Sequence, residues 1–331
     1  MNRASALTVV AALLALASSA IAAQPDTPPA APQSEPIVVI GQRQTEEAIR
    51  AFVEQMSVAP RATHQLATWG HTICTGVAGL HTRFAQFIND RIAQRAEAVG
   101  LDVGEPGCRA NVLIAISDDP DAIARDLYDH HKTLLGYYMQ RGHGTLGRRA
   151  LLQDFVNSMA PVRWWHVSRT ITSDGDVIDE PLDGREAQGM AYEGMGDPTK
   201  GAPVVQITSG HSRLRASTHQ SFGVAFVIVD ARKLHGVSFE ALADYIAMVT
   251  LAQLDPRADV SSYPTILNTF AQHGTPAAMT DWDVAYLHGL YGATQDARNA
   301  QSQEAEITHS IVIGLRQAPP SGTPGDAPHQ P

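Results

Sequence analysis

Cysteine is scarce in this chain: Cys74 and Cys108 are the only two among 331 residues. No CxxC spacing is present, so a redox or metal-binding pair of thiols lacks its usual arrangement. An even pair in an exported chain bridges, and only one pairing is open to these two. Closing that loop stabilises the fold by about 3–4 kcal/mol on the chain-entropy model. Also missing are G-x-S-x-G, G-x-x-x-x-G-K-[ST], and any G-x-G-x-x-G after a strand. Serine-hydrolase, P-loop and dinucleotide chemistry therefore have no support. Positive charge is short as well: 24 basic residues against 34 acidic ones leave a net charge of −10. That balance speaks against nucleic acid or an anionic membrane as the main partner.

Long hydrophobic runs are confined to the N-terminus. Arg3 precedes an uncharged run from Ala4 to Ala20, and Ala20-Ile21-Ala22 fits a small-x-small cleavage site. Residues 1–22 are read as a signal peptide; an uncleaved anchor is the competing reading. No later run reaches the roughly 20 apolar residues that span a bilayer, so no integral membrane segment is expected after cleavage. The expected location is periplasmic or secreted. Residues 23–36 form a proline-rich linker, and 317–331 a Pro/Gly-rich disordered tail. One α+β domain is expected over 37–316. Its first segment, IVVIGQR (37–43), is similar over seven residues to the opening of the plug of TonB-dependent receptors. The plainer expectation is a short strand that starts the domain.

Periodicity places helices over 45–58, 81–100 and from Pro120 onward to Leu135. In the first, Thr45 caps and Ile49, Phe52, Val53 and Met56 share a face; in the second, Phe84, Ile88 and Ile92 form a stripe. ANVLIAI (110–116), RWWHVSRT (163–170) and FGVAFVIVDA (222–231) read as strands, the last of them β-branched and buried. Ser238 caps a helix running to about Leu254, where Asp255-Pro256 stops it, and Thr280 caps another. A polar connection from Ser173 to Ala202 looks like an excursion from the core.

From Phe222 to Gly292 the chain resembles zincin metalloproteases of the metzincin and matrixin type. FVIVDA corresponds to the buried strand before the active-site helix. ADYIAMVTLAQ (243–253) stands in place of H-E-x-x-H-x-x-G-x-x-H, and PTILN (264–268) is similar to the methionine turn, with Leu267 at the methionine. MTDWDVAYLHGLYG (279–292) is similar to the closing helix. The resemblance implies a single zincin-like α+β domain, with a small mixed sheet packed against helices and a central buried helix over 239–254.

The departures decide the chemistry. Ala243 and Ala247 carry no donor atom, and Gln253 is a neutral amide that zinc rarely selects. Only Asp244, at the glutamate position, keeps a carboxylate and stands as the catalytic candidate, with no metal-bound water to activate. Core packing is the preferred account of the helix, which is apolar nearly all round, over a residual polar site at Asp244 and Gln253. No cofactor and no metal site is expected. The function implied is an inactive metalloprotease-like binding or structural protein, whose partner is a periplasmic or envelope protein or peptide. The alternatives are a hydrolase with a non-zinc site around 163–169 and 211–219, and an envelope protein docking through 37–43 by strand addition. The histidine pairs His130-His131 and His211 with His219 lack ligand spacing on a helical face.

Overall fold

The computed structural model describes residues 35–59, 64–138, 141–142, 149–172, 215–271 and 276–317. The expected signal peptide, most of the expected linker, the expected 173–202 excursion, His211, Arg213 and all but the first residue of the expected tail lie outside them. Two compact units divide the chain, Met1–Gly41 and Gln42–Pro331. The α+β fold belongs to the second.

Four strands make a mixed sheet: β1 (Thr75–Ala78), β2 (Val112–Ser117), β5 (Val162–Thr172) and β6 (Thr218–Asp230), in the order β1-β2-β6-β5. A two-stranded hairpin, β3 (Tyr137–Tyr138) and β4 (Arg141–Gly142), stands apart. β6 is central because its β-branched run suits burial on both faces. It pairs parallel to β2 and antiparallel to β5. The β5 register shifts between Val167 and Ser168, where Gly223 is the extra residue on β6. That bulge turns Phe222 to the same side as Ala225, Val227 and Val229, and the four share one core.

The core beneath this face is built by α1 (Glu35–Met56), α2 (Thr82–Ala98), α5 (Phe239–Leu251), α6 (Asp281–Gly292) and α7 (Ala300–Gln317). On the other face α3 (Pro120–His130) and α4 (Arg149–Asn157) cover Trp165, Val167, Phe226 and Ile228. Cys74 and Cys108 form the expected disulfide, their Cα atoms 6.1 Å apart, closing a loop that holds β1 and α2. Among the described residues no helix is long and apolar enough to cross a membrane.

Several local expectations need correction. IVVIGQR is helical, lying within α1 rather than forming a strand, and α1 starts at Glu35, inside the expected linker. Helix growth costs little once the stretch from Thr45 has nucleated, and this outweighs the weak strand preference of four β-branched residues. α3 ends at His130, not Leu135; Leu135 is nonetheless fully buried, and its carbonyl accepts from Trp165 Nε1 at 3.1 Å. On α2, Ile88 and Ile92 are buried but Phe84 is 39% exposed. Its ring lies edge-on to Phe239, under the guanidinium of Arg83.

α5 stops at Leu251 rather than Leu254. Its last carbonyls are taken by distant side chains: Trp69 Nε1 donates to Thr250 at 3.0 Å, and Tyr291 donates to Leu251 at 2.7 Å. The chain beyond is then captured by the end of α1. Val58 N donates to the Gln253 carbonyl, and Asp255 N to that of Met56.

Candidate functional site

α5 is the centre of the candidate site. Ser238 caps it by accepting from Ala241 N at 3.1 Å, and every residue from Ala241 to Leu251 is buried. Asp244 is the only charge in that stretch, and a buried charge must find a partner. It finds three. Arg95 Nε and an Arg95 terminal nitrogen each donate to one carboxylate oxygen at 2.9 Å, the Met279 backbone N–H donates to Oδ2 at 2.9 Å, and Arg91 stands 3.8 Å away. Asp244 thus fastens α5 to α2 and to the residue before the α6 cap. Both oxygens are engaged and the residue is fully enclosed, so this carboxylate meets no substrate in the structure.

The rotational setting of α5 follows from that link. Successive residues turn by about 100°. Ala243 and Ala247, each two residues from Tyr245, lie about 160° around the helix from it. Both alanines are fully buried. The Tyr245 side faces β5, where its ring stands 6.4 Å from that of Trp164 and 5.2 Å from that of Phe270. A cavity of about 150 Å³ opens there, lined by Phe155, Trp164, His166, Tyr245, Gln253 and Leu254. The two positions matched to zinc-binding histidines point away from it. Gln253, matched to the third, lines the cavity, but its Oε1 accepts from Ala67 N at 2.7 Å.

A second polar node joins the segment after α5 to α6. Asp283 closes a capping box with Thr280 and also accepts from Thr265 Oγ1 at 2.5 Å and Ile266 N at 2.7 Å. A 3-10 turn, Ile266–Phe270, is thereby held against the start of α6. Burial pushes the Asp283 carboxyl above the usual range, against the pull of its hydrogen-bond donors. Leu267, at the position of the methionine, packs on the core.

The residues of 163–169 divide between the two faces of the sheet. Arg163 turns to α3 and α4, bonding Asp121 at 2.6 Å and the Val156 carbonyl at 2.9 Å. His166 turns the other way and stacks on Phe222, centroids 4.6 Å apart. Burial pushes its pKa down to about 4, partly offset by the Thr250 and Val249 carbonyls. Its Nε2 is enclosed and has no partner among the described residues. With so low a pKa the ring is a weak proton acceptor and a poor general base at neutral pH. Of 211–219, Arg215 pairs with Asp296 at 3.1 Å on the surface, while burial lowers the pKa of His219. His130 and His131 both lean on Asp126 in an exposed position. Among the described residues no group of three or more His, Cys, Asp or Glu is placed to hold a metal ion.

The cavity wall escapes sequence reasoning because Phe155, Trp164, Tyr245 and Gln253 come from separate elements. The Asp244 link leaves a better signal: one carboxylate in an all-apolar helix, and two arginines four apart on α2. Comparison with protein-family models, curated proteins and solved structures finds no match for this chain.

Proposed function

We propose that this chain is a non-catalytic binding protein on a zincin-like frame, periplasmic or secreted, that holds an extended peptide along the edge of β5. The observation that carries the reading is a strand edge with a side-chain-sized cavity beside it. Among the described residues β5 ends the sheet and β6 is its only strand partner. Asp230 N donates to the Pro161 carbonyl, so the alternation of an antiparallel ladder turns the N–H and C=O of Val162, Trp164 and His166 away from β6. Val162 is enclosed, so an added strand would use the groups of the half-buried Trp164 and His166, with main-chain bonds for affinity and a pocket for specificity. A cavity of about 150 Å³ is the size that accepts a benzene ring, so it suits one aromatic or branched side chain.

The zincin-like part of the reading is supported by order: a central strand, a buried helix, a 3-10 turn, then a capped helix. The non-catalytic part is supported by Ala243 and Ala247 lacking donor atoms and by the engagement of Asp244. Export is supported by the disulfide and by the apolar run before Ala22.

Incubating the purified chain with a casein peptide digest tests the proposal, with binding read by tryptophan fluorescence and cleavage by mass spectrometry. Peptides are expected to bind and emerge intact. Trp164→Ala should weaken binding by about tenfold, the scale of one lost aromatic anchor. Stoichiometric, chelator-removable zinc together with cleaved peptides would overturn the reading, as would binding indifferent to Trp164→Ala.

A further inference from the structure

The cavity beside β5 is walled by the apolar side chains of Phe155, Trp164 and Leu254, and also by His166, Tyr245 and Gln253. Gln253 is engaged at Oε1 by Ala67 N. His166 differs. Its ring is held by stacking on Phe222, centroids 4.6 Å apart, and its Nε2 is enclosed with no partner among the described residues. Buried ring nitrogens are ordinarily hydrogen-bonded, so an unpaired one on a residue that lines a cavity asks for a ligand atom.

The state of the ring narrows the choice of that atom. Burial keeps it neutral above about pH 4. A neutral imidazole has one N–H and one lone pair, so Nε2 donates in one tautomer and accepts in the other. A carboxylate or carbonyl oxygen satisfies only the first and an ammonium only the second, whereas a hydroxyl satisfies both. The cavity volume of about 150 Å³ matches a single six-membered aromatic ring.

We propose that the cavity is specific for a phenol, the side chain of tyrosine, with its hydroxyl paired to His166 Nε2 and its ring beside Phe155, Trp164 and Tyr245. This rests on the reading of the cavity as a side-chain pocket and deepens it: the residue seated there is tyrosine rather than phenylalanine or leucine. A phenyl ring in the same place leaves Nε2 unpaired, and a phenol does not. One neutral hydrogen bond of this kind corresponds to about tenfold in affinity.

p-Cresol and toluene, the isolated side chains of tyrosine and phenylalanine, test this on the purified full chain. Binding is followed at neutral pH by NMR of the His166 ring nitrogens, assigned through His166→Phe. p-Cresol is expected to shift the Nε2 signal saturably and to bind about tenfold more tightly than toluene. His166→Phe should bring the two ligands to within about twofold of each other. Equal binding to the native chain overturns the proposal, as does bound p-cresol that leaves Nε2 unmoved. Should the phenylalanine variant unfold, His166→Gln supplies the assignment and the native-chain comparison decides. The casein digest separates this inference from strand addition. p-Cresol bound at Nε2 with no peptide retained overturns strand addition and supports the phenol pocket. Peptides retained without preference for tyrosine, with p-cresol no better than toluene, overturn the phenol pocket alone.

Discussion

Replacing Asp244 with asparagine keeps the shape of the side chain and removes its charge. In the native chain its oxygens accept two bonds from Arg95 and one from Met279 N, all at 2.9 Å, and Arg91 stands 3.8 Å away. The carboxylate is fully enclosed, whereas the side chains of Arg95 and Arg91 keep 21% and 22% of their exposure. Breaking a fully buried pair costs about 3–5 kcal/mol, because the surviving charge stays dry. Partial hydration of both arginines puts the expected loss at the lower end, about 3 kcal/mol. Urea unfolding followed by tryptophan fluorescence measures it: the midpoint should fall while the slope m stays unchanged. Asp244→Leu combined with Arg95→Met should recover much of the loss, since apolar replacement of a whole buried pair is often neutral. A loss below about 0.5 kcal/mol, ordinary for a surface change, refutes the anchoring role. An enzymatic activity lost at unchanged stability would return Asp244 to catalysis.

Two further outcomes follow from the same structure. Replacing Cys74 and Cys108 by serine together should lower the unfolding free energy by about 3–4 kcal/mol in urea, and a difference under about 1 kcal/mol would contradict the loop-closure argument. His166 titrates near 4 in the fold against an ordinary value of 6.5, so between those pH values only the unfolded chain holds the extra proton. Its contribution is therefore full above about pH 6.5 and shrinks by about 3 kcal/mol as pH falls toward 4. His166→Phe should flatten that part of the stability profile, and parallel wild-type and variant curves would sink the assignment.

What the sequence revealed depended on whether the cause was local. β6 is legible because FGVAFVIV carries its own strand preference, and α6 because Thr280 and Asp283 form their cap three residues apart. The end of α5 is not legible. Its stop is imposed by Trp69 and Tyr291, which lie 181 and 40 residues from the carbonyls they bond. The helical state of IVVIGQR was hidden for a similar reason, since a strand preference averaged over a few residues is small against extension of a helix already formed. The cavity beside β5 needed the topology itself, because only an antiparallel edge strand brings Trp164 to Tyr245.

The buried carboxylate accounts for why the two alanines matched to zinc-binding histidines lie away from the cavity beside β5. A helix apolar on all sides has little hydrophobic reason to prefer one rotation about its axis. One buried charge supplies that preference, since any other rotation of α5 would pull Asp244 off Arg95 and leave it unpaired. With Asp244 turned to α2, Tyr245 is turned toward β5 and the two alanines away from it. The residue at the place of a catalytic base therefore acts as a rotational key. It decides which side chains line the cavity.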